Sequence, residues 1–139
     1  MMADCIFCRI VSGEIPATKV YEDDRCLAFL DINPIARGHA LLIPKSHHEN
    51  LYTIPPGLLQ DLILAAQKLG TAMVKALGAQ GLNLLQSNGR AASQIIDHFH
   101  LHLIPRRPAD GVGVANWEMI PGDKEDMTQA AEQIKKALK

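Results

Sequence analysis

Histidine is the most chemically pointed residue in this sequence. Six are present, and three fall at alternate positions in His98-Phe99-His100-Leu101-His102-Leu103. In an extended strand successive side chains point to opposite faces. That spacing sets His98, His100 and His102 on one face, and Phe99, Leu101 and Leu103 on the other, toward a core. Neighbouring rings on one face are rooted about 7 Å apart, two residues at ~3.4 Å rise. Rings so spaced can grip a group with several oxygens, such as a phosphate. They can also converge on a metal ion if a further ligand lies nearby. The bland alternative is a solvated sheet face, which chance rarely supplies with three histidines at alternate positions. Phosphorus chemistry suits the imidazole best. Its ordinary pKa of about 6.5 leaves it largely neutral at pH 7. A neutral ring nitrogen can attack phosphorus, and the phosphohistidine is labile enough for water to release it. Flanking rings can donate hydrogen bonds to the phosphoryl oxygens as charge builds.

A second cluster is Cys5-Ile6-Phe7-Cys8. A lone CxxC leaves three readings open: a redox pair, half of a zinc site, or two buried thiols. Nothing around it looks thioredoxin-like. Cys26 has no partner in sequence and reads as a core residue of a strand.

The elements that must position these residues follow from pattern. Cys5 to Val11 is a short apolar turn or helix closed by Ser12-Gly13. Lys19–Glu22 and Arg25–Asp31 read as strands, and Asp23-Asp24 between them signals a hairpin turn. His39–Pro44 is an apolar run, the mark of a buried strand. Leu58, Leu62, Ala65, Leu69, Met73 and Ala76 recur at helical spacing, so Pro56–Leu77 is an amphipathic helix that opens on proline. Gly78 is placed to cap it. Leu82–Gln86 is a strand, 87–93 a polar loop, and Phe99–Ile104 a strand stopped by Pro105. Residues 110–116, with two glycines at alternate positions, read as a mobile loop. Met127–Leu138 is a C-terminal helix. The mixture is α+β with an antiparallel sheet, in one domain spanning 1–139.

Composition narrows the setting. Hydrophobic residues make up 47% of the 139 and charged residues 21%, a globular balance that excludes a disordered or fibrous chain. Fourteen Lys and Arg against 15 Asp and Glu give a net charge of -1, without the basic footprint of a general nucleic-acid binder. No window of 18 apolar residues is present, so no membrane partner is expected. The start of the chain lacks the pattern of a secretory signal, and an odd count of cysteines argues against a disulfide framework. A cytoplasmic setting is expected.

With these residues assembled, the chain resembles the histidine triad (HIT) family of nucleotide hydrolases and transferases, in its bacterial Hint-like branch. The resemblance rests on His98-Phe99-His100-Leu101-His102-Leu103-Ile104, on Ala28-Phe29-Leu30-Asp31-Ile32, on Gly38-His39-Ala40-Leu41-Leu42-Ile43-Pro44-Lys45, and on Asn88-Gly89 with Ser93-Gln94. It implies a HIT fold: an antiparallel sheet of about five strands with one long helix and a C-terminal helix. It implies a homodimer that extends one sheet across the interface. The implied activity is that of a purine nucleoside phosphoramidase-like hydrolase acting on an AMP or GMP conjugate. A diadenosine polyphosphate hydrolase and a low-turnover nucleotide-binding regulator are the alternatives.

By the same resemblance His100 is the nucleophile toward the α-phosphorus, and His102 holds the phosphate oxygens. His39 supports the triad, Asn88 and Gln94 contact the phosphate, and Asp31 accepts from the ribose hydroxyls. A structural zinc is implied on Cys5, Cys8, His47 and His98, with no metal required for the chemistry. Two positions depart from the family pattern. Ile95 stands where many members carry a Ser or Thr that helps at the leaving group. Asp97 stands where an aromatic or aliphatic residue is more usual.

Overall fold

In the computed structural model, which describes residues 4–114 and 118–139, the apolar runs become the middle of a five-stranded antiparallel sheet. The elements in chain order are α1 (Ile6–Val11), β1 (Lys19–Glu22), β2 (Cys26–Leu30), β3 (Ala40–Pro44), α2 (Pro56–Leu77), β4 (Gly81–Leu85), β5 (Leu101–Arg106) and α3 (Lys124–Leu138). A single 3₁₀ turn, Arg90–Ala92, lies in the loop after β4. The strand order is β1-β2-β3-β5-β4, so β1 and β4 are the edges. Every residue of β2 and β3 is buried, because both faces of the sheet are covered there. Ala28, Leu30, Ala40 and Leu42 face α2 and α3 across the main core, with Leu101 and Leu103. Leu27, Phe29, Leu41 and Ile43 face the opposite way, into a smaller cluster with Phe7, Cys8 and Ile10 of α1. His102 belongs to this second face, since it pairs with Leu41 across β3 and β5.

The long helix runs as its periodicity predicts. Leu58, Leu62, Ala65, Leu69 and Met73 are buried on one stripe. It ends at Gly78, whose left-handed φ of 64° suits a residue without a Cβ. Gly38 is restricted in the same way: it has φ +87°, and a Cβ there would run into Leu77.

Three boundaries differ from expectation by two residues or more. β5 begins at Leu101 rather than Phe99, so His98 and His100 precede the strand. The side chain of His98 turns toward α1, and the ladder to β3 starts only at the Leu42–Leu101 pair. β5 also continues through Pro105 instead of stopping before it. The carbonyl of Arg106 accepts from Gln80 on the β4 side. Alternation therefore turns the missing N–H of Pro105 toward β3, whose pairing has already ended at Ala40–Leu103. The C-terminal helix starts at Lys124 rather than Met127, because Asp123 caps it by accepting from the N–H of Glu125 at 3.1 Å. Of the expected mobile loop, residues 115 and 116 lie outside the described residues.

Candidate active site

Between α1, the end of β2, the loop after β4 and the approach to β5 lies a cavity of about 540 Å³. Phe7, Ile10, Phe29 and Ile32 give it an apolar wall. Asp31 stands in this wall, and His100, His102, Ser87 and Ser93 also line the cavity. The arrangement suits a flat apolar group next to a diol and a phosphoryl group. Asp31 follows β2 directly, and its carboxylate accepts from the N–H of Asn33 at 2.9 Å. Burial raises its pKa, and that hydrogen bond works against the rise.

The ring nitrogens have assignable roles. Nδ1 of His100 lies 2.7 Å from the carbonyl oxygen of His98. A carbonyl can only accept, so Nδ1 carries the proton and Nε2 carries the lone pair. Burial lowers the pKa of this ring, which keeps Nε2 unprotonated at neutral pH. His100 is thus a neutral imidazole with a nucleophilic nitrogen on a cavity wall.

His102 has the opposite polarity. The N–H of Ile35 donates to Nδ1 of His39 at 3.2 Å, so the proton of the neutral His39 ring sits on Nε2. That Nε2 lies 2.9 Å from Nδ1 of His102 and 3.6 Å from a carboxylate oxygen of Asp31. Nδ1 of His102 accepts, which leaves its Nε2–H as a donor. Burial pushes His39 down to about 4 and His102 down to about 3. A backbone N–H thereby sets a chain of two neutral rings that ends in a hydrogen-bond donor. Asp31, His39 and His102 are close enough together to suggest a metal group, but the 2.9 Å contact joins the two rings as a hydrogen bond.

His98 departs from the shared face expected of the triad. It is fully buried, and its ring packs against His47 with centroids 5.0 Å apart. Its Nδ1 lies 3.4 Å from Sγ of Cys5 and 3.7 Å from Sγ of Cys8, and Nδ1 of His47 lies 3.4 Å from Sγ of Cys8. The four ligand atoms all lie within 4.8 Å of one another. A tetrahedral zinc with bonds of about 2.0–2.3 Å sets its ligands roughly 3.3–3.8 Å apart. Nε2 of His98 donates to the carbonyl of Pro44 at 2.9 Å, which turns the Nδ1 lone pair toward the thiols, as a ligand must. The donor set fits zinc. Burial holds the Cys5 thiol above its ordinary pKa; a bound cation acts in the opposite sense.

Asn88 and Gln94 are not among the residues lining the cavity. Gln94 is buried. Its side-chain oxygen accepts from the N–H of Gly89 at 2.7 Å, and its nitrogen donates to the carbonyls of Glu49 and Ile96 at 2.7 and 3.0 Å. Asn88 exchanges two hydrogen bonds of 2.8 Å with Gln86 and accepts from the N–H of Leu51. Both amides hold the loop in shape. Ile95 is an exposed part of the cavity wall, and Asp97 pairs with Arg90 at 3.1 Å on the surface. His48 meets Ser46 at 3.0 Å, away from the cysteines. Ser87 and Met119 have no signal in the sequence, and Ser93 is marked there only as part of the loop that resembles the family's, without a role of its own. Ser93 takes φ +68°, uncommon outside glycine, and nothing in the local pattern signals it.

The comparisons agree with this geometry. A family model for the HIT domain matches residues 12–109. The adenosine 5'-monophosphoramidase HNT1 of Candida albicans is 42% identical over 142 residues, covering 98% of this chain and 92% of that protein. The adenylylsulfatase HINT3 of Arabidopsis thaliana is 47% identical over 107 residues, 77% of this chain, which spans only 54% of that protein's length. Among solved structures, a Zn-bound histidine triad family protein from Mycobacterium smegmatis has a TM-score of 0.87 at 37% identity, covering 97% of this chain and 93% of that one. On the family model, these relatives and the histidine geometry together, the chain belongs to the HIT domain family.

Proposed function

We propose that this protein hydrolyses a purine nucleoside phosphoramidate, an AMP or GMP conjugate, through a covalent nucleotidyl-histidine. The observation that carries the reading is the 2.7 Å contact between Nδ1 of His100 and the carbonyl of His98, which frees a neutral Nε2 for attack. In the first step the Nε2 lone pair forms a bond to the α-phosphorus. The bond from phosphorus to the leaving nitrogen breaks, and the amine departs with a proton taken from solvent. In the second step a water oxygen attacks phosphorus, the phosphorus–Nε2 bond breaks, and the nucleoside monophosphate leaves. The water's proton returns to solvent. The His98 carbonyl stabilises the charge on the His100 ring while the adduct exists. Nε2–H of His102 donates to a phosphoryl oxygen, and His39 keeps that proton in place. Asp31 accepts from the ribose hydroxyls, and the apolar wall takes the base. Asn88 and Gln94 serve the phosphate by fixing the loop that carries Ser87 and Ser93.

Incubation with an AMP–amine conjugate and with diadenosine polyphosphate, followed by measurement of AMP release, tests the reading. Faster release from the conjugate supports it. Release from the polyphosphate alone replaces it with the alternative, and binding without release makes the protein a regulator. A sulfate leaving group is a second reading, favoured by the Arabidopsis relative's name, and adenylyl sulfate belongs in the same assay.

The same proposal includes one structural zinc on Cys5, Cys8, His47 and His98, supported by the donor geometry and by the Zn-bound mycobacterial relative. When bound it would tie α1 to the segment leading into β5, and the chemistry needs no part of it. Homodimerisation along β4 is supported by its position at the sheet edge and by exposed Ile63, Leu64 and Leu84, which line a groove there. No helix among the described residues is long and apolar enough to cross a membrane. The unpaired Cys5, Cys8 and Cys26 suit a reducing, cytoplasmic setting.

A further inference from the structure

Phe7 touches two of the three triad histidines. Its ring meets His100 edge-to-face at 5.3 Å between centroids and 83°, and meets His98 at 5.8 Å and 78°. Phe29 packs on it in turn at 5.5 Å. Phe7 is buried and lies between Cys5 and Cys8, in a turn tied by the N–H of Cys8 donating to Sγ of Cys5 at 3.4 Å. Its place is therefore set by the cysteine cluster.

A histidine ring turns about a soft torsion with broad, two-fold wells. The hydrogen bond from Nδ1 to the His98 carbonyl decides which nitrogen faces outward. One hydrogen bond still allows the ring to rock about that contact. The ring also lines the cavity, and His102 packs on it at 5.1 Å and 68°, so the rings of Phe7 and His102 are the packing that can limit the rocking. An edge-to-face aromatic contact supplies such a restraint, with a preferred angle as well as a distance. We infer that Phe7 is a positioning residue for His100, holding the ring so that Nε2 is aimed at phosphorus and linking the Cys5–Cys8 turn to the nucleophile. This rests on the reading of His100 as nucleophile given above. Aim matters because a misplacement of about 1 Å can cost about 100-fold in rate.

The test compares Phe7→Leu, which keeps an apolar side chain but no ring, with Ile43→Ala. Ile43 belongs to the same apolar cluster and is not among the residues lining the cavity. Phe7→Leu should lower kcat on the AMP–amine conjugate by about 10- to 100-fold. AMP binding should fall less than kcat, because Phe7 also stands in the apolar wall of the cavity while the aim of Nε2 enters only the reaction step. The ring nitrogens of His100, read by ¹⁵N NMR, should show one sharp Nδ1–H tautomer in the parent and shifted or broadened signals in Phe7→Leu. Phe7→Tyr keeps the ring and should bring kcat and the ring signals back toward the parent's. Ile43→Ala should lower Tm and leave both unchanged. If Phe7→Leu fails to fold, Phe7→Met takes its place with the same expectations. The ring spectra need no turnover, so a parent that hydrolyses no nucleotide conjugate sinks the functional reading while this one is still measured. Phe7→Leu that lowers Tm but keeps the parent's kcat and ring signals overturns the inference. So does a loss confined to AMP affinity, which would make Phe7 a binding wall only.

Discussion

Replacing His39 by Gln should flatten the acid side of the stability curve by a predictable amount. His39 is fully buried, and burial pushes its pKa down to about 4 from the ordinary 6.5. A histidine whose folded pKa is depressed stabilises the fold above the unfolded value. That contribution is lost as pH falls through 6.5 toward 4. At pH 5 the folded ring is still neutral, while the unfolded ring is almost wholly protonated. The loss between pH 7 and pH 5 is then RT ln[(1 + 10^1.5)/(1 + 10^−0.5)], about 2 kcal/mol, and it barely changes if the folded pKa lies lower still. Gln does not titrate. Its amide can still accept from the N–H of Ile35 and donate to Nδ1 of His102, two of the contacts that His39 makes. Urea unfolding of the parent and of His39→Gln at pH 7 and pH 5 gives four free energies. The fall from pH 7 to pH 5 should be about 2 kcal/mol smaller in the variant. Proton-linked loss of a metal from the cysteine cluster affects both proteins alike and cancels in the difference. Equal falls in the two proteins would refute a neutral His39, and with it the assigned tautomer of His102.

Three further outcomes follow from the same geometry. Cys5→Ala with Cys8→Ala should remove about one zinc per chain and lower Tm while some hydrolysis survives, as checked by metal analysis and calorimetry; zinc retained in that variant defeats the ligand assignment. Asp31→Asn should weaken AMP binding about 10- to 100-fold by calorimetric titration, the scale of charge-assisted hydrogen bonds to a diol; unchanged binding removes Asp31 from the ribose site. Leu84→Asp on the exposed edge strand should give a monomer by light scattering at micromolar concentration, where the parent should be a dimer; a monomeric parent defeats the dimer proposal.

Regular elements with a strong period were readable from the residues. The stripe from Leu58 to Met73 located α2, and the unbroken apolar runs of β2 and β3 reflected burial on both faces. The start of β5 was not, because the alternation in His98–His102 persists where the backbone has left the ladder. Pro105 misled for a related reason: only the end of β3 makes its missing N–H harmless. Within the site, His100 and His102 share the cavity as alternation predicts, but their opposite tautomers depend on the His98 carbonyl and the Ile35 N–H. Backbone groups of this kind carry no sequence signature. The amides of Gln94 and Asn88 carry one, yet composition alone does not separate a phosphate contact from a loop clamp, and here the loop takes both. Cys5, Cys8, His47 and His98 converge across 93 positions of sequence, which spacing alone could not join.

The central claim is a bond between His100 and phosphorus, and rapid quenching under neutral conditions with intact-mass and peptide analysis tests it most directly. With an AMP–amine conjugate the parent should show a transient nucleotidyl adduct on the peptide containing His100, with or without chelator. His100→Ala should show none, should lose on the order of a million-fold in turnover, and should still bind AMP. An adduct on another residue, or turnover in His100→Ala above about a hundredth of the parent's, far more than loss of a nucleophile leaves, would contradict the account.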